Sequence, residues 1–227
     1  MRSVCLPAFA LLAACSPEPE PEAKPTPRAT VAAPRTLVAA DFDPAMLGAR
    51  VAGMNVTDAA IGGRKAPIAR VSAFVACEKE VTDCDPAILP EGTIFTYVLT
   101  ITPALAPAPS PSPSATPADL VVPIEAPAAL VGTDRVVPGF NGALGFSRAE
   151  AAAALGAEEA LTVTLDQNRL IWRVTGGSGW RAGKPITLWW QSTRAPGKPA
   201  AAYRLEYGGE RADISAPFPA ADKPADR

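Results

Sequence analysis

TIFTYVLTIT, Thr93 to Thr102, is the stretch that decides the fold. Phe95, Tyr97, Leu99 and Ile101 fall on one side of an extended chain, and Thr96, Thr100 and Thr102 fall on the other. A period of two, carried by aromatic and β-branched residues, predicts a half-buried strand. Just upstream, IARVSAFVAC (Ile68 to Cys77) predicts a second strand. Between them, Glu78 to Glu91 ends in the turn signal Pro90-Glu91-Gly92. The simplest arrangement is an antiparallel pair with a long connection.

Beyond residue 155 the same pattern recurs. Leu161, Val163 and Leu165 alternate with Thr162 and Thr164. After the turn Asp166-Gln167-Asn168, Leu170, Trp172 and Val174 alternate with Ile171 and Arg173. That predicts a hairpin. TGGSGWRAGKP (Thr175 to Pro185) is a loop, ITLWWQ (Ile186 to Gln191) a strand, and Ala195 to Pro199 a turn. Tyr203, Leu205 and Tyr207 mark another strand, and Arg211 to Ser215 a last short one. Leu120 to Ile124 and Arg135 to Val137 are further short candidates, and GFNGALGF (Gly139 to Phe146) is punctuated by glycine. One helix is expected over about residues 147–155. Ser147 can cap it, Glu150 completes a capping box, and Gly156 ends it.

Thr36 to Ala66 is harder to read. Thr36 to Phe42 has the character of a strand, and Asp43-Pro44 can start a short helix. The Pro/Ser-rich stretch 104–118 reads either as a linker between domains or as a long surface loop. The loop is preferred, because residues 37–103 alone offer few strands. The expected fold is mainly β: an antiparallel sandwich or an open, barrel-like sheet. It occupies residues 37–216 as a single domain, and residues 217–227 form a disordered tail.

The chain opens with one positive charge at Arg2, a short apolar run from Val4 to Leu12, and the small residues Ala13 and Ala14. This is the pattern of a secretory signal over residues 1–14. The run is shorter than the roughly 20 residues a membrane span requires. Leu12-Ala13-Ala14-Cys15 resembles the lipobox of bacterial lipoprotein precursors. The resemblance implies cleavage before Cys15, which then carries lipid on its sulfur and usually an acyl chain on its amine. It also implies a cell-envelope location. Ser16 stands where an Asp commonly holds Gram-negative relatives in the inner membrane, so the outer membrane, facing the periplasm, is favoured. The other reading is an ordinary signal peptide cut near Ala14. Residues 15–36 alternate prolines with charges and show no apolar periodicity, so they read as a disordered tether. In polyproline form such a tether reaches on the order of 60 Å.

Cysteine usage agrees with export. Cys77 and Cys84 remain as an even pair, and in an oxidising compartment they are expected to form a disulfide. A zinc site is the competing reading, but two more ligands are missing and the chain has no histidine.

That absence of histidine removes Ser-His-Asp and Cys-His catalysis. Net charge is −2 without a basic stripe, so nucleic acid is not an expected partner. Gly179 to Pro185 has the wrong spacing for a phosphate loop and places proline where a magnesium ligand belongs. Asp41, Asp43, Glu158, Glu159, Asp166 and Glu206 are candidate acids for histidine-free hydrolysis, although nothing pairs them. Glu78, Glu80, Asp83 and Asp85 crowd the cysteine loop without the spacing of a calcium loop. No cofactor is expected. The most suggestive cluster is aromatic: all four tryptophans lie between Trp172 and Trp190. Trp189 and Trp190 are adjacent, so on a strand they point to opposite faces. One expectation is an exposed platform of Trp180, Trp189 and Trp190 with Arg173 and Gln191 beside it, suited to stacking on cell-wall glycan. The other is that a helix or loop covers the outward indole. The leading functional expectation is a non-enzymatic anchored domain that binds another envelope component or a protein partner.

Overall fold

In the computed structural model the chain is described at residues 33–62, 67–104, 129–207 and 210–220. The signal, Cys15, nearly all of the tether, the 105–128 stretch with Leu120 to Ile124, and residues 221–227 lie outside these. The described residues fall within one compact unit, residues 32–227.

They form twelve strands: β1 Arg35–Leu37, β2 Ala40–Asp41, β3 Leu47–Gly62, β4 Pro67–Glu78, β5 Phe95–Pro103 and β6 Ala129–Thr133, then β7 Phe140–Phe146, β8 Leu161–Asp166, β9 Arg169–Val174, β10 Ile186–Ser192, β11 Pro196–Tyr207 and β12 Glu210–Pro219. Two six-stranded sheets result. One has the order β1-β8-β9-β6-β11-β12, the other β2-β7-β10-β5-β4-β3. All described pairings are antiparallel except β2 with β7. The architecture is a β sandwich with one α-helix and no closed barrel.

Alternation builds the interior. From the second sheet, Val71, Val75, Tyr97, Leu99, Ile101, Leu188 and Trp190 are buried; from the first, Val163, Leu170, Trp172, Leu205 and Ile214. β4 and β5 pair in register from Ala69↔Pro103 to Cys77↔Phe95, and Cys77 and Cys84 are joined in a disulfide. The β8–β9 hairpin turns at Gln167 and Asn168, both at positive φ (48° and 58°), as a two-residue turn of this hand requires.

The helix α1, Arg148–Leu155, follows its cap: Ser147 Oγ accepts from Glu150 N–H at 3.3 Å. The other half of the expected capping box is redirected. Glu150 Oε2 accepts from the Thr187 N–H of β10 at 2.6 Å, while the Ser147 N–H donates to the Thr187 carbonyl at 2.8 Å. The helix start is therefore fastened to the sheet, and Ala151, Ala154 and Leu155 close one end of the interior.

Several expectations are corrected. Thr36 to Phe42 is two short strands in different sheets, linked by a crossing at Val38 and Ala39. The short helix expected at Asp43-Pro44 is present, as a 3-10 helix over Pro44–Met46 with Asp43 as its N-cap. Arg135 to Val137 is not a strand: it follows a bend at Asp134 and Arg135, and the strand there is β6 instead. The expected turn at Ala195 to Pro199 is the start of β11. Only β12 pairs with it there, because β6 joins at Tyr203 to Tyr207, and a register shift lies between Gly197 and Ala200. One-sided pairing and a bulge are the settings in which a strand tolerates proline. β12 likewise runs past Ser215, and Phe218, placed by sequence in the tail, is buried beside Trp190.

Strand β3 is the largest omission from the sequence reading. It is an edge strand paired only with β4, and its register shifts at four places along its length. Asp58 sits in one irregular interval at φ 47°, held by paired contacts from the Arg70 guanidinium, which also lower its carboxyl below the usual range.

Candidate functional site

Burial decides whether the aromatic region can form a site. Trp172, Trp180, Trp189 and Trp190 are all at most 3% exposed. The exposed stacking platform is therefore not present.

Trp190 points inward from β10. Its ring stacks on Tyr97 (centroids 4.6 Å apart, planes at 18°) and leans on Phe218 at 5.7 Å. Its N–H donates to Tyr203 Oη at 3.3 Å, and Tyr203 donates in turn to the Pro217 carbonyl at 3.1 Å. Tyr97 Oη donates to the Arg194 carbonyl at 2.9 Å. Trp172 crosses from the other sheet to donate to the Gly145 carbonyl at 3.1 Å. Trp180 belongs to the 175–185 loop and folds back to donate to the Lys184 carbonyl at 2.9 Å.

Trp189 is the outward indole. It pairs with Val98 on β5 and with Gly145 on β7. A side chain at Gly145 would overlap the Ala40 carbonyl oxygen and come within 2.8 Å of Trp189 Nε1. Glycine there lets the carbonyl of Ala40, on the edge strand β2, come over β7 beside the indole. The Trp189 N–H is buried without a hydrogen-bond partner. Such an unmet donor costs roughly 1–3 kcal/mol.

The polar residues expected beside the platform are separated. Arg173 is exposed on β9, next to inward Trp172 in the first sheet. Gln191 lies on β10 of the second sheet, donating to Thr96 Oγ1 at 3.2 Å and accepting from Asn141 at 3.1 Å. One site cannot use both.

The candidate acids are spread over several elements, and three of them have local partners. Asp41 Oδ1 accepts from Phe42 N–H and Arg148 N–H (2.9 and 2.8 Å), and Asp43 caps its turn. Glu206 pairs with Arg211 at 2.9 Å, Asp166 closes the β8–β9 hairpin, and Glu158 and Glu159 occupy a 3-10 turn. Around the cysteine loop, Asp85 accepts from Ala87 N–H at 2.9 Å. Among the described residues no cluster of three or more His, Cys, Asp or Glu could hold a metal. One open depression of about 320 Å³ is bordered by Arg35, Val137, Phe140, Leu165 and Asn168. Another, of about 170 Å³, lies among Pro86, Leu89, Phe95 and Thr193. None of the candidate acids or tryptophans lines either one.

The buried tyrosines carry a pH dependence. Burial pushes both phenols well above their ordinary value. For Tyr97 the neighbouring Tyr203 adds to this, whereas on Tyr203 the Trp190 N–H acts in the opposite sense. The folded protein keeps these protons, and the unfolded chain loses them above about pH 10. Stability is thus intact below that pH and falls as pH rises beyond it, by up to about 1.4 kcal/mol per unit for each phenol. Urea midpoints measured from pH 8 to 11.5 should drop above pH 10, less steeply in Tyr203→Phe. A flat profile would contradict the assignment.

No family model, curated protein or solved structure matches this chain.

Proposed function

We propose that this chain is a lipid-anchored protein of the bacterial envelope whose β sandwich is held off the membrane by a proline-rich tether and binds an envelope protein without catalysing a reaction. Cysteine usage is the observation that carries the reading. Cys15 closes the motif Leu12-Ala13-Ala14-Cys15, and the pair Cys77–Cys84 is joined and buried, which suits an oxidising compartment. A single acyl chain binds a bilayer only marginally, whereas two or more hold it, each buried methylene adding about 0.8 kcal/mol. With Ser16 after the cysteine, the outer membrane is the favoured location. Asp41, Asp43 and Glu206 are each engaged in local structure, which gives no support to hydrolysis.

Expression in a Gram-negative host with labelled fatty acid tests the anchor. The native chain should take up label and sediment with membranes. Cys15→Ser should take up none and remain unprocessed or soluble. A Cys15→Ser protein still labelled and membrane-bound would overturn the proposal. Crosslinking and pulldown of the anchored protein from intact envelopes would then identify the partner.

A further inference from the structure

The first two strands differ from the rest of the sandwich in how they are held. β1 and β2 have three and two residues, lie in different sheets, and are joined by a crossing at which Val38 is 95% exposed. No residue from 33 to 45 is buried; Leu37 and Ala39 only rest against the core. Beyond the β1–β8 pairing and the two-residue β2–β7 pairing, the grip on the crossing is polar and sparse. Arg148 Nη2 donates to the Ala39 carbonyl at 3.1 Å, Arg148 N–H to Asp41 at 2.8 Å, and Phe42 N–H to the Phe146 carbonyl at 3.1 Å. Beneath it lies the one buried side-chain donor left unmet among the described residues, Trp189 Nε1, at the spot over Gly145 that the Ala40 carbonyl occupies.

We propose that residues 35–41 are a detachable strap over Trp189, which opens as a unit while the two sheets stay folded. Segments with few buried apolar contacts open at free energies far below global unfolding. Opening here has an added driving term, because water reaches the Trp189 N–H and supplies the bond it lacks. It also frees the β7 edge and the outer face at Trp189. The strap begins at Arg35 and Thr36, the last residues of the 15–36 stretch, so tension on that stretch would act first on β1. The inference rests on the described residues alone and does not depend on lipidation of Cys15.

Hydrogen exchange of the indole N–H groups, followed by NMR on the full chain, tests it. Trp172 is the internal reference, since it is equally buried and its N–H is bonded to the Gly145 carbonyl. The Trp189 N–H and the Phe42 amide should exchange on the order of 100-fold faster than the Trp172 N–H and the β5 amides. Thr36→Cys/Thr164→Cys, placed at a paired position of β1 and β8, should lock the strap once oxidised and bring the Trp189 rate down towards that of Trp172. Thr36→Ser/Thr164→Ser is the control. Arg148→Ala should raise the Trp189 rate several-fold with the urea midpoint unchanged, and it needs no crosslink to form. Equal rates for Trp189 and Trp172 in the native chain would overturn the proposal. So would a Trp189 rate that neither the lock nor Arg148→Ala alters.

Discussion

Trp190→Ala is expected to lower stability by about 3–5 kcal/mol, the range for removing a large buried aromatic. Trp190 links the two sheets more completely than any other side chain described. It stacks on Tyr97 of β5, meets Phe140 of β7 edge-on at 6.4 Å, leans on Phe218 of β12, and donates to Tyr203 of β11. Truncation opens a cavity between the sheets and removes the ring that stacks on Tyr97 and leans on Phe218. A domain of ordinary stability, about 5–15 kcal/mol, would survive only with a small reserve. Urea denaturation followed by far-UV circular dichroism reads the loss. Trp190→Phe keeps the ring over Tyr97 and gives up the N–H and some volume, so it should recover more than half of it. If Trp190→Ala shifted the midpoint by the equivalent of under about 1 kcal/mol, the central position of this ring would be wrong.

Removing the disulfide should have the next largest effect. Cys77→Ala/Cys84→Ala releases a closure of about eight residues, worth about 2.5 kcal/mol by chain entropy. More than loop closure is involved. The Val81 carbonyl accepts from Ala49 N–H at 2.9 Å, tying the bridged segment to the start of β3. Gly48 makes the approach possible, since a side chain there would overlap the Glu78 carbonyl and come within 2.6 Å of the Val81 carbonyl. The variant should therefore lose protection at Ala49 as well as midpoint. Reductant without denaturant should leave the native disulfide intact, because Cys77 and Cys84 are 0% and 4% exposed and attack requires access to a sulfur. Rapid reduction under native conditions would count against this placement.

These two predictions rest on features that differ in how far the sequence reveals them. The pairing of Cys77 with Cys84 is local and follows from cysteine arithmetic. The strands β5, β8, β9 and β10 and the helix α1 are legible for a similar reason: their alternation and caps are complete within the segment. Strand β3 is not, because its register breaks scramble the alternation and only Val51 and Ile61 are buried along it. The start of β11 reads as a turn because Pro196 and Pro199 are turn residues wherever a strand is paired on both sides. The burial of Trp189 depends on Gly145 and Ala40, far away in sequence, so periodicity within β10 shows which face it takes but not what lies over it. One clue was available. ITLWW is a nearly continuous apolar run, the pattern of a strand covered on both faces.

The irregular register of β3 bears on how copies of the protein behave side by side. An open, flat strand edge offers its free amides and carbonyls to any other extended chain. β3 presents such an edge over sixteen residues, yet Gly53 at φ 71° and Asp58 at φ 47° interrupt it. A second chain laid along β3 could keep its hydrogen bonds for only a few residues before losing step. For molecules crowded on one membrane surface, as the proposed anchor implies, this irregularity works against lateral polymerisation into an extended sheet.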